Sequence, residues 1–86
     1  MSYILGLDPQ EKFDETFETV RSQIQFWRES DTGFTLRQLE IMLDTEYLRL
    51  GNDQSGRGEY QTAILEATIA AIEEQLVIWK KELNNE

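Results

Sequence analysis

"ILEATIAAIEEQLVIW", Ile64 to Trp79, decides how this 86-residue chain is built. On a helix it has two apolar sides. Leu65, Ile69, Ile72, Leu76, Trp79 and then Leu83 recur at alternating steps of four and three, the spacing of a coiled-coil seam. Nearly opposite, at the same steps, run Tyr60, Ile64, Ala67, Ala71, Glu74 and Ile78, with Ala63 and Ala70 beside them. The first row is bulky and suits the core of the chain. The second is small, so a neighbouring helix can come close to it.

A chain of this size has little interior in which to hide both rows. Below about 80 residues one core supplies only roughly 3–5 kcal/mol. The sequence has no Cys and no His, which removes disulfides and the usual zinc sites as staples. Oligomerisation is the aid that remains. The second row is therefore expected to meet a second copy, because closed two-fold dimers are the commonest oligomers. Copies crossing antiparallel would place Ala67 and Ala71 near the centre and keep Glu74 off its symmetry mate.

Two further helices precede this one. Asp8, Pro9 and Glu11 form an N-terminal signature: a capping carboxylate, a proline in the first turn and an Asp-x-x-Glu box. Phe13, Phe17, Val20, Ile24 and Trp27 then make one apolar seam, which predicts a helix over about 9–29. "SDTG" (Ser30–Gly33) interrupts it. Thr35 and Gln38 form a second capping box, and Phe34 with Leu39 fits a hydrophobic staple. Leu36, Leu39, Leu43, Tyr47 and Leu50 carry the second helix over about 36–50, ending at Gly51 as a C′ residue. The short connection predicts that these two helices are antiparallel neighbours.

Residues 51–58, "GNDQSGRG", read as a Gly-rich flexible loop. The third helix follows over about 59–84, roughly 39 Å long at 1.5 Å per residue. Residues 1–7, with "YILGL", read as an apolar arm that folds back on the bundle or crosses to another subunit. The expectation is a single all-α domain over 1–86, an antiparallel three-helix bundle dimerising through its third helix. Trp27, Trp79 and Phe34 should meet at one end as an aromatic plug.

Net charge is −9, from 17 acids and 8 bases. The excess is spread along the chain and is not an acidic tail. Direct nucleic-acid binding is disfavoured, since neutralising phosphates needs a basic face. No run approaches the roughly 18 apolar residues of a membrane span. Nor does a secretory leader pattern appear, so the cytoplasm is the expected address.

Chemistry is sparse. Without His or Cys the commonest bases and nucleophiles are missing, and no serine sits in a nucleophile motif. Glu15 with Glu18, and Glu59, Glu66 and Glu73 at steps of seven, are the only carboxylate patterns, and neither completes a metal site. Gly51 and Gly56 match phosphate-loop glycine spacing, but Arg57-Gly58 replaces Lys-Ser/Thr. Arg57 is at most an exposed contact for a partner. No enzyme, cofactor or metal is expected.

The function expected is a small, acidic interaction or assembly module working by helix–helix packing. Its interface would comprise Tyr60, Ile64, Ala67, Ala71 and Ile78, with Ile41 and Leu48 from the second helix. These two lie seven apart, off its main seam, and Phe26 is likewise off the seam of the first helix. The partner would be a second copy or another protein. The alternative is an acidic inhibitor of a basic, nucleic-acid-processing protein, with Glu11, Asp14, Glu15 and Glu18 as its face.

Overall fold

A computed structural model describes residues 8–31, 33–52 and 58–84; the 1–7 arm and most of the 51–58 connection lie outside these. Within them the chain forms α1 (Pro9–Ser30), α2 (Leu36–Asn52) and α3 (Glu59–Asn84). The N-termini form where local chemistry dictates. The Asp8 carboxylate accepts from the Glu11 N–H at 2.8 Å, and the Glu11 carboxylate accepts from the Asp8 N–H at 3.1 Å. Thr35 and Gln38 repeat this reciprocal pair at 3.1 Å in both directions. Each box satisfies donors that the first helical turn leaves unpaired. One boundary differs from expectation. Gly51 does not take the left-handed backbone that stops helices, and α2 continues through Asn52.

The fold is an all-α three-helix bundle in which α1 packs on α3 and α2 packs on α3. Arg21 pairs with Glu74 and Arg28 with Glu82, so α1 and α3 run parallel. Glu40 pairs with Lys80, and the Tyr47 hydroxyl donates to Glu73, so α2 runs antiparallel to α3. The short connection had implied that α1 and α2 are neighbours. Instead, among the described residues, no Cα of α1 comes within 8 Å of one in α2. α3 is the element they share.

This answers the question set by the two rows of α3. Ala63, Ala67 and Ala71 are 8%, 0% and 0% exposed within the single chain. Ala63 lines a depression together with Pro9 and Phe13 of α1, and Glu74, further along the same side, is held by Arg21. The small row is therefore the bed on which α1 lies. Ala67 and Ala71, expected to meet a second copy, are already covered within the single chain. The bulky row supplies the other side, with Ile72 and Leu76 clustered with Ile24 of α1 and Leu39 of α2. Leu83 departs from its seam and is 52% exposed.

One end is closed by aromatics, as the sequence predicts. Phe34 sits between the two tryptophans, with ring centroids 5.4 Å from Trp27 and 6.0 Å from Trp79. The Arg28 guanidinium covers the Trp79 ring at 4.2 Å while binding Glu82 at 2.6 Å.

Two outcomes follow from this packing. Ala67→Leu places a larger side chain where α1 leaves no room, and should destabilise the fold by about 1–3 kcal/mol in urea unfolding. An unchanged midpoint would mean that α1 does not lie against Ala67. Separately, the Arg21 hydrogen bonds hold the Glu74 carboxyl below the usual glutamate range, against an opposing effect of burial. A depressed folded value stabilises above the unfolded pKa of about 4.3 and is lost as pH falls through the folded value. Wild type should therefore melt above Glu74→Gln at pH 7, and the gap should close in melts carried towards pH 3.

Candidate interaction surface

The expected interface residues divide. Ala67 and Ala71 are covered, and Ile64 is half-buried. The side chain of Tyr60 lies outside the described part of the structure. Ile78 is 38% exposed and borders a polar depression with Gln25, Arg28, Gln75 and Glu82, beside α1. Ile41 and Leu48 are 48% and 65% exposed. Seven residues apart, they share the side of α2 that faces away from Leu39 and Leu43. α3 thus uses its two sides within the chain, and α2 does not.

Ile41 also belongs to a second feature. A groove lined by Trp27, Asp31, Phe34, Gln38, Ile41 and Met42 opens where α1 ends and α2 begins. Ile41 thus joins this aromatic end, while exposed Asp44 and Thr45 stand between it and Leu48 on the same side of α2. Val77, 56% exposed on α3, was missed in the sequence because it sits off both rows. Phe26, 61% exposed, stands apart among Glu18, Thr19, Ser22 and Gln23.

Charge on α2 is locally balanced. Its acids Glu40, Asp44 and Glu46 face two bases, Arg37 and Arg49, a net of 2 − 3 = −1 against −9 for the chain. Glu40 lies 3.6 Å from Arg37 and 3.5 Å from Lys80, and Glu46 lies 3.8 Å from Arg49. The acids of α1 are engaged as well. Glu11 serves the N-cap, Asp14 accepts from Gln10 at 3.1 Å, Glu15 pairs with Lys12 at 3.0 Å, and Glu18 pairs with Arg21 at 3.1 Å. They form an exposed face whose charge is partly answered within the helix.

The hydroxyls of Ser30, Thr45 and Thr68 donate to backbone carbonyls four residues earlier. Glu73 is turned to Tyr47, while Glu59 and Glu66 border the depression beside Phe13. Among the described residues no group of three or more acids converges to hold a metal. Nor is any described helix long and apolar enough to cross a membrane. Arg57 and the arm from Tyr3 to Leu7 lie outside the described residues.

Sequence reasoning missed two structural residues. Gln75 is 1% exposed and donates to Glu74 at 2.9 Å. Arg21 binds Glu74 through two nitrogens, at 2.9 and 3.0 Å. The available signal was Arg21 and Arg28, seven apart on α1, opposite Glu74 and Glu82 on α3. Compared with known proteins, the chain matches no described family, no curated protein and no solved structure.

Proposed function

We propose that the protein is a non-catalytic assembly module that joins a second copy of itself by helix–helix packing, with Ile41 and Leu48 of α2 as anchors. The observation that carries this is their exposure on the outer side of α2, while the described bundle closes its core without them. Anchors seven residues apart occupy one stripe, as helix-to-helix recognition requires. For a copy as the occupant, charge selects α2 as the point of contact. Two chains of net charge −9 repel, and α2, at −1, is where they can approach with least opposition.

The contact proposed from the small row of α3 moves in this reading to α2, because α1 lies over Ala67 and Ala71. Ile78 belongs to that row but stands among polar groups. The cytoplasm is the address proposed, on composition alone. An acidic inhibitor of a basic protein has less support, since Lys12 and Arg21 already partner Glu15 and Glu18. That alternative requires binding to a basic partner that weakens steeply with salt.

Light scattering behind a sizing column, at two protein concentrations, tests the proposal. The wild type should give twice the chain mass at the higher concentration. Leu48→Glu should give the chain mass at both, with little change in melting temperature. A wild type that stays monomeric throughout overturns self-association.

A further inference from the structure

The two contacts of α3 are unequal. α1 lies on Ala67 and Ala71, both 0% exposed, in a register set by Arg21 on Glu74 and Arg28 on Glu82. α1 and α2 each contribute one fully buried side chain, Ile24 and Leu39, but the backbone of α1 lies close to α3 over more of its length than that of α2 does. Leu36, Met42 and Leu43 are only partly buried against the core, and Tyr47 is 45% exposed. Its polar ties to α3, Tyr47 to Glu73 and Glu40 to Lys80, lie at the surface, where such pairs hold weakly. The backbone of α2 approaches α3 alone. Departure of α2 uncovers Ile24 of α1 together with Ile72 and Leu76, but leaves the close backbone approach of α1 to α3 in place.

We infer that α2 is a lid: it opens from α3 as one unit while α1 stays in place. Closed, Leu39 covers Ile72 and Leu76; open, these side chains are bare. Opening is sub-global, at a free energy below that of full unfolding. An isolated helix of this length is marginal in water, so an open α2 loses much of its helix. A partner that grips Ile41 and Leu48 on a formed helix thus favours the closed state. Self-association and opening oppose each other. This regulatory consequence rests on the proposed self-contact, but the opening itself does not.

Amide hydrogen exchange on Leu48→Glu, where the proposed self-contact is removed, separates the two ideas. The amides of α2 should exchange at least tenfold faster than those in the middle of α1 and α3. Adding Tyr47→Phe should speed α2 exchange several-fold and leave α1 and α3 unchanged. One common rate for the slowest amides of all three helices overturns the lid, as does Tyr47→Phe speeding all three alike. A monomeric wild type would remove self-association and leave the exchange result intact.

Discussion

The close approach of α1 to α3 is the constraint on which the rest of the molecule depends. It is possible because the side of α3 beneath α1 carries alanines at 63, 67 and 71. Side chains of that size let two helix backbones come together, and the larger residues of α1 fill the space beside them. Ion pairs near solvent add little stability. What Arg21 and Arg28 supply is register: each arginine meets its glutamate only when the helices are parallel and correctly staggered. The alanines determine how near the helices come, and the arginines where along their length.

Once α1 is seated, its Ile24 meets Ile72 and Leu76 of α3, and Leu39 of α2 closes over them. Each of these side chains is nearly or fully withdrawn from water, so truncation to alanine costs about 2–5 kcal/mol. In a domain this small that is a large part of the total. The aromatic end complements this centre. Phe34 precedes the Thr35 cap, so the residue that starts α2 also fixes its angle against Trp27 and Trp79.

Much of this was legible in the sequence because caps are local. Asp8 with Glu11 and Thr35 with Gln38 announce helix starts from residues three apart, and the structure forms both boxes. The end of α2 was misread because Gly51 carries no side chain to reveal its backbone, and a glycine can continue a helix as well as stop one. The two rows of α3 were visible, but periodicity states that a face is covered and not by what. Glu74 held the missing information. A carboxylate in a small-residue row needs a base, and Arg21, on the flank of α1, is that base. Ile41 and Leu48 were legible for the opposite reason: they have no place in the seam of their own helix.

α3 follows both helices that it holds apart. During synthesis α1 emerges first and α2 second, and among the described residues these two meet only through side chains around Ile24 and Leu39, without a close backbone approach. Neither can complete the burial of its seam until the chain has passed Leu76. The fold therefore cannot be assembled from its beginning, helix by helix. It condenses when the third helix arrives, and until then the seam from Phe13 to Trp27 lacks the face that α3 gives it.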